Sequence, residues 1–388
     1  MHRDVGFDVA GCSRPEALAP RTYGHERSND PLGPPSVRRS SRRRARLDAC
    51  GRGNTVGSPR SASMAGRRYC LITPCRDEAS YARRTLESVL RQSTPPTLWI
   101  IVDDGSKDAT PRILAQYAAR VPFIRVLTRA DRGDRKLGGG VIDAFYTGYD
   151  TIDPADFTYV CKLDLDLDLP PRYFEILIER MEAEPRIGTC SGKPYFPAPG
   201  NDRPVQLPLS DTSRFVSEKS GDENSVGMTK FFRTTCFRQI GGFTRELMWD
   251  GIDGHRCRQL GWIAVSWDEP DLRFIHLRPM GTSHQNWWTG RQRHGFGQYF
   301  MGTSPWYMLA SAAYRMTRPP RVVGGLAMLY GYFKSMVQRN PRYGDAEFRR
   351  FLRHYQWACL FRGKASATAR LNERQRRSWD PSRSPSAI

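Results

Sequence analysis

With 388 residues, the chain is long enough for one large or two ordinary domains around a sizeable core. Its formal charge is +20, carried mostly by arginines spread along the chain at positions such as Arg83, Arg84 and Arg112, not gathered in one place. That dispersion argues against a dedicated nucleic-acid-binding protein, which would interleave basic and aromatic residues on one surface.

Residues 1–63 stand apart. They are rich in Arg, Ser, Pro and Gly, include the cluster Arg38-Arg39-Ser40-Ser41-Arg42-Arg43-Arg44, and show no hydrophobic periodicity. Such a composition buries too little apolar area to offset chain entropy, so a disordered basic extension is expected. Met64 precedes the first strand pattern by a few residues, and the simplest expectation is that translation starts there. No apolar signal-peptide core opens the chain.

From Tyr69 the pattern becomes regular. Tyr69–Thr73 is a short apolar run broken at Pro74, and 78–92 carries apolar residues at Ala79, Ala82, Leu86, Val89 and Leu90, one helical face. A strand over 97–103, a helix over 108–120, a strand over 123–127, a glycine-led helix over 139–149 and a strand over 157–164 follow. Strand–helix alternation with short connections implies a mostly parallel sheet flanked by helices on both faces, the doubly wound α/β class, whose ligands bind beyond the carboxyl ends of the strands. A helix over 171–184 comes after Pro170-Pro171.

Beyond about residue 188 the alternation fails. Strand-like pieces (188–196, 230–233, 263–267, 272–276) mix with glycine turns and tryptophans, which suggests a mixed lobe. The longest uncharged stretch, 295–314, holds Gln298, Thr303, Ser304, Pro305 and three glycines, too polar for a spanning helix. Residues 322–340 read as a helix with Leu326, Leu329, Tyr330, Phe333, Met336 and Val337 on one face, expected to pack on the body; lying on a membrane surface is the alternative. From about 364 a polar, disordered tail is expected. The nine cysteines form no C-x-x-C pair, which favours buried, reduced thiols of a cytosolic protein over a disulfide framework or a zinc site.

Two of the strands end in acids: Val102-Asp103-Asp104-Gly105-Ser106 and Lys162-Leu163-Asp164-Leu165-Asp166. Residues two apart on a strand point the same way, so Asp164 and Asp166 repel one another unless a cation neutralises them. Hard carboxylate oxygens suit Mg²⁺ or Mn²⁺, which also bridge phosphates. Alone, an Asp-X-Asp is more often a solvated loop; two acid-tipped strands in one α/β unit suggest a nucleotide-plus-metal site. Arg132-Gly133-Asp134-Arg135-Lys136-Leu137-Gly138-Gly139-Gly140 leads into a helix whose N-terminus favours an anion, so Arg135 or Lys136 could pair with a diphosphate; a flexible turn is the plain alternative.

Pro74-Cys75-Arg76-Asp77-Glu78, Val102–Asp108, Lys162–Asp166 and Trp249-Asp250-Gly251-Ile252-Asp253 fall in the order and spacing of family 2 glycosyltransferases with the GT-A fold, which the chain resembles over about 68–280. The resemblance implies a GT-A domain over 64–300, with a nucleotide-binding half at 68–187 and an acceptor half at 188–300, followed by a helical extension over 301–363 and a tail over 364–388. It implies that Pro74, Arg76, Glu78, Asp103, Asp104 and Asp164 contact the nucleotide sugar. It also implies that Asp164, Asp166 and His276 hold Mn²⁺ or Mg²⁺, that Asp253 is the general base, and that Gly227 and Trp249 line the acceptor side. Trp287 and Trp288 are further stacking candidates. Ile252 replaces the family's usual Glu beside the base. Asp250 either compensates for it or caps the helix expected over 251–260. Asp108 and Thr110 read as local caps, and Asp168 as a cap for the Pro170-led helix.

The reaction implied is inverting, metal-dependent transfer of one sugar from a nucleoside diphosphate to an acceptor hydroxyl. The chain lacks the Gln-x-x-Arg-Trp motif of processive family 2 synthases, which argues for single transfers. The expected partners are a nucleoside-diphosphate sugar and a glycan or lipid-linked acceptor, with no specific nucleic acid and with peripheral contact to an anionic membrane from the cytoplasmic side. A sugar nucleotidyltransferase is the nearest alternative; it prefers a glycine-rich, lysine-containing loop after the first strand, where this chain has Cys75-Arg76-Asp77-Glu78.

Overall fold

The computed structural model describes residues 67–131, 133, 139–198, 205–217, 221–278, 287–318 and 320–382. The first half alternates as the pattern predicts: β1 (Tyr69–Cys75), α1 (Ala79–Leu90), β2 (Leu98–Asp103), α2 (Thr110–Ala118), β3 (Ile124–Thr128), α3 (Gly139–Tyr149) and β4 (Tyr159–Leu163). A two-residue β5 (Leu167–Asp168) and α4 (Tyr173–Ala183) follow. β1 pairs in parallel with β2 and β4, and β2 with β3, giving the order β4-β1-β2-β3. Because side chains alternate, β1 sends Tyr69 and Leu71 into one core and Cys70 and Ile72 into the other, on opposite faces of the sheet.

The mixed second half is built partly onto the same sheet and partly as a second one. β6 (Ile187–Ser191), β9 (Thr229–Arg233) and β10 (Ile263–Ser266) extend the main sheet to seven strands, ordered β10-β6-β9-β4-β1-β2-β3, with β9 antiparallel to both its neighbours. β7 (Lys193–Pro197), β8 (Phe215–Ser217) and β11 (Arg273–His276) join β5 in a second, four-stranded sheet. The single strand expected over 188–196 is therefore two: it breaks between Ser191 and Lys193, and its halves find partners in different sheets. Between β9 and β10 lie α5 (Thr234–Gln239) and α6 (Trp249–Gln259). The seven described cysteines are all free and buried.

Five helices close the chain: α7 (Trp287–Met301), α8 (Pro305–Met316), α9 (Val323–Val337), α10 (Ala346–Arg362) and α11 (Lys364–Gln375). Two expectations fail here. The tail from 364 is not structureless among the described residues, because α11 buries Ala367 and Leu371 against Tyr355 and Cys359 of α10. The helix at 322–340 forms, but of the face expected to pack only Leu329 and Phe333 reach the core, and the small-residue side is the buried one. Gly324, Gly325, Ala327, Met328, Gly331, Tyr332 and Ser335 are buried, while Leu326, Tyr330, Met336 and Val337 are exposed. The cause is the crossing with α7: a Cβ on Gly331 would stand 2.1 Å from the Gln292 carbonyl oxygen, and one on Gly295 2.0 Å from that of Met328. Backbones this close admit only glycine, so the small-residue side must face in.

Candidate active site

The parallel register sets Cys75 beside Asp103, so β1 and β2 end together at the carboxyl edge. Asp103 is buried; its Oδ1 accepts from Ser106 N at 2.9 Å, while Oδ2 is buried with no hydrogen-bond partner. Gly105 makes the turn at φ +77°, and a Cβ there would lie 2.6 Å from Asp131 Cα. Asp104 accepts from Arg129 at 2.8 Å. Arg76, expected to touch the donor, instead ties three loops together by donating to the Asp104 carbonyl (3.0 Å), Asp131 Oδ1 (2.8 Å) and the Gly133 carbonyl (3.0 Å). Its Nη1 and Nη2 are thus engaged within the protein. Pro74 is buried within β1. Asp108 and Thr110 act across two loops and not as the local caps expected: Asp108 accepts from Ala79 N and Thr110 N, Thr110 Oγ1 accepts from Glu78 N, and Ala109 holds the cap position of α2. Arg135 and Lys136 lie outside the described residues.

Beyond β4 the two acids of the Asp-X-Asp have different surroundings. Asp164 is half-buried and pairs with Lys162, two residues back on the same side of the strand. Asp166 is buried; its Oδ2 receives Arg278 Nε at 2.7 Å and lies 3.3 Å from His276 Nε2. Its Oδ1 is buried and unpartnered. Burial works to raise the Asp166 carboxyl, but the His276 hydrogen bond and the Arg278 charge outweigh it and hold the group below the usual carboxylate range. Arg278 also reaches Glu78 Oε1 at 2.6 Å, so Glu78 is joined to the acid cluster through an arginine. Asp168 does not cap α4. It receives Arg84 at 2.8 Å and Arg91 at 3.5 Å from α1, and Arg172 occupies the cap position.

Among the described residues, no three His, Cys, Asp or Glu side chains form a ready metal cage. The orphaned Asp166 Oδ1 beside Asp164 nevertheless suits a hard divalent cation, because a buried carboxylate oxygen without a partner is costly and a cation removes that cost. The two carboxylates fit a hard divalent cation such as Mn²⁺ or Mg²⁺.

On the acceptor side, α6 begins after Met248, which takes φ +65°, so Asp250 is a first-turn residue and not the cap. Asp250 is exposed, and a methyl group at Gly227 would stand 3.4 Å from its Oδ2. Asp253 is only 1% exposed. Both its oxygens receive Lys230 Nζ, at 2.7 and 2.6 Å, and Oδ1 also receives Gly254 N. Burial pushes its carboxyl up, against the pull of Lys230. Asp253 is thus sealed and doubly engaged, whereas the Asp250 carboxylate on the same helix is open to an incoming hydroxyl. Lys230 donates as well to the Asp250 carbonyl at 2.8 Å, so the Lys230–Asp253 pair anchors the turn that presents Asp250. Trp249 is buried against Phe243 at 5.0 Å, with Lys162 Nζ 5.0 Å and Lys230 Nζ 5.9 Å from its ring. It packs and neighbours cations, and so does not offer a sugar-stacking face. The Trp287 side chain is outside the described residues, and Trp288 is half-buried.

Sequence reasoning missed Lys162, Lys230 and Arg278. Lys162 and Lys230 are direct cross-strand partners on β4 and β9. Like charges facing one another are tolerable because each has its own carboxylate. The Lys162/Asp164 spacing of two was visible in the sequence; the pairing of β4 with β9 was not.

The family model described as "Glycosyl transferase family 2" matches residues 70–241. Among curated proteins, a poly-beta-1,6-N-acetyl-D-glucosamine synthase of Staphylococcus epidermidis is 29% identical over 206 residues, and another from that species is 23% identical over 206 residues. In each case the match covers 50% of this chain and 44% of the relative, so the chain matches less than half the length of these curated relatives. Similar solved structures include S. aureus TarS 1–349 in complex with UDP-GlcNAc, with TM-score 0.41, 13% identity and coverage of 80% of this chain and 92% of that one. Another is the mannosyltransferase PcManGT from Pyrobaculum calidifontis with GDP-Man and Mn²⁺, with TM-score 0.40, 16% identity and coverage of 79% and 86%.

Proposed function

We propose that this chain, a glycosyltransferase whose residues 70–241 carry the family 2 domain, transfers a single sugar from a nucleoside diphosphate to an acceptor hydroxyl with inversion. The observation that carries the reading is a pair of buried, unpartnered carboxylate oxygens, Asp103 Oδ2 and Asp166 Oδ1, at the carboxyl edge of the parallel strands. Burying such an oxygen unpaired costs about 1–3 kcal/mol or more, a cost that a ligand's N–H, ribose hydroxyl or cation would relieve. Sheets of this topology bind ligands at that edge.

Asp103 and Asp104 would hold the nucleoside, with Arg129 fixing the orientation of Asp104. Asp164 and Asp166 would hold Mn²⁺ or Mg²⁺; when bound, such an ion acts as a Lewis acid on the leaving diphosphate. Arg278 and His276 keep Asp166 ionised and aimed. Asp250 would take the proton of the acceptor hydroxyl as its oxygen bonds to the anomeric carbon, while the bond from that carbon to the diphosphate oxygen breaks and its electron pair leaves with the nucleoside diphosphate. Lys230 and Asp253 position Asp250 through its backbone. The half 68–187 would then supply most donor contacts, and 188–300 would carry the acceptor side together with His276 and Arg278 behind Asp166.

The donor proposed is a uridine or guanosine diphosphate sugar. The acceptor proposed is a growing surface polysaccharide or a lipid-linked glycan, used on the cytoplasmic side. The support is the family match and the two polysaccharide-synthase relatives. The test is a transfer assay across common nucleotide sugars with Mn²⁺ and with chelator. Metal-dependent release of nucleoside diphosphate is expected. Release of pyrophosphate from a nucleoside triphosphate and a sugar phosphate would overturn the reading in favour of a nucleotidyltransferase.

A further inference from the structure

Helices α8 and α9 pack on each other and on α7 through one small core of Met308, Ala312, Met328 and Tyr332 with Tyr299. Their other faces are apolar too, and exposed. On α8, Trp306, Leu309, Ala310, Ala313 and Tyr314 are exposed at positions i, i+3, i+4, i+7 and i+8, a single stripe opposite Met308 and Ala312. On α9, Val323, Leu326, Tyr330 and Val337 form a second exposed stripe, with half-buried Phe333 on the same side. Exposure reaches 63% at Trp306, 51% at Tyr330 and 78% at Val337. Water-facing helix stripes are ordinarily polar, so two adjacent apolar ones call for an occupant.

The charge around them identifies its chemistry. Between Asp271 and Asp345 the sequence contains no acidic residue, whereas Arg315, Arg318, Arg321, Lys334, Arg339 and Arg342 are all basic. Two of these cations lie against exposed tyrosines of the stripes: Arg318 is 4.6 Å from the Tyr314 ring and Lys334 is 5.7 Å from the Tyr330 ring. Aromatic rings capped by long basic side chains, beside bare aliphatic groups, match the boundary between acyl chains and anionic headgroups. No described helix is long and apolar enough to cross a membrane.

We infer that the α8–α9 hairpin is a monotopic docking surface that inserts Trp306, Leu309, Leu326, Tyr330 and Val337 into a bilayer containing anionic lipid. The hairpin is tied to the catalytic body through α7, whose Phe300 and Met301 pack with Ile252 in the helix that carries Asp250. The inference does not depend on the sugar chemistry, and its test uses no donor.

The experiment is co-sedimentation of the full-length protein with vesicles of phosphatidylglycerol and phosphatidylcholine, and with phosphatidylcholine alone. Binding to the anionic vesicles is expected, weakened but not abolished by salt. The double variant Leu326→Glu/Tyr330→Glu should partition at least roughly tenfold less, because charges then face the acyl region. Arg318→Glu/Arg321→Glu should also lose about tenfold, through headgroup repulsion. Unchanged melting temperatures would show that both variants fold, as expected for exposed positions. Equal binding by Leu326→Glu/Tyr330→Glu would overturn the inference, since the arginine-rich segment at 38–44 is present in both proteins and would then be the tether. Complete release of the wild type by salt would overturn insertion. A vesicle-independent dimer that the same variant abolishes would assign the stripes to a second copy of the chain.

Discussion

The edge of the main sheet and the α8–α9 hairpin invert the usual partition in opposite ways. At the sheet edge Lys162, Lys230, Asp166 and Asp253 are charged and buried; on the hairpin Trp306, Tyr330 and Val337 are apolar or aromatic and exposed. At the edge the departure is largely settled inside the chain: Lys230 satisfies Asp253, and Arg278 with His276 satisfies one oxygen of Asp166. What remains open there is small and directional, single carboxylate oxygens facing a place for a ligand. On the hairpin nothing within the described chain covers the stripes, and what remains open is an area. Directional vacancies suit a small, specific ligand, whereas an uncovered apolar area suits an extended, non-directional one.

The largest effect should come from separating the two acids of α6. Asp250→Asn should cut turnover roughly 100- to 10,000-fold, the usual worth of a positioned base, while nucleotide-sugar affinity measured by calorimetry stays near wild type. Asp253→Asn should act on stability instead. It leaves Lys230 buried without its carboxylate, which costs about 3–5 kcal/mol and should lower the melting temperature by many degrees. If Asp253→Asn kept its melting temperature yet lost turnover, the base would be Asp253 after all and the charges of the sheet edge would not be settled within the chain.

The sheet edge was largely legible in the sequence. Short apolar runs ending in Asp103-Asp104 and Asp164-X-Asp166 defined both the strands and their tips, because that pattern is local. The role of Asp253 was not legible, since Lys230 lies 23 residues away and reaches it only because β9 inserts antiparallel between β4 and β6. Arg278 was missed for the same reason: its partner Glu78 is 200 residues distant. In α9 the apolar periodicity at Leu326, Leu329, Tyr330 and Phe333 does mark one face, but periodicity does not say which face meets water. The deciding signal was on the other side, where Gly325 and Gly331 permit backbone contact with α8 and α7 that no larger residue allows.

The crossing of α7 and α9 can be broken directly. Gly331→Leu places a side chain where the Gln292 carbonyl sits, and overpacking of this kind costs about 1–3 kcal/mol. Urea denaturation should report that loss, with vesicle binding weakened because the hairpin no longer holds its shape. A neutral result would mean that α9 can rotate to bury Leu326 and Tyr330, and the contrast between the two regions would then disappear.

The smallest effect is the sharpest test of exposure itself. Val337→Asp changes an apolar side chain that is 78% exposed, with only water against most of its surface. Surface substitutions away from special features usually alter stability by less than about 0.5 kcal/mol, so the urea midpoint should stay within error of wild type. The opposite is expected of a chain that packs this stripe on its own body, where an uncompensated buried carboxylate costs several kcal/mol or is avoided by taking up a proton. Unfolding curves at neutral and acidic pH distinguish the two cases. An exposed carboxylate introduced by Val337→Asp adds no pH dependence beyond that of wild type, because it titrates alike in the folded and unfolded chains. A buried one, with its pKa raised by desolvation, would make the variant less stable than wild type at neutral pH and return it toward wild type as the solution is acidified. Coincident curves at both pH values are the outcome that the exposed stripe requires.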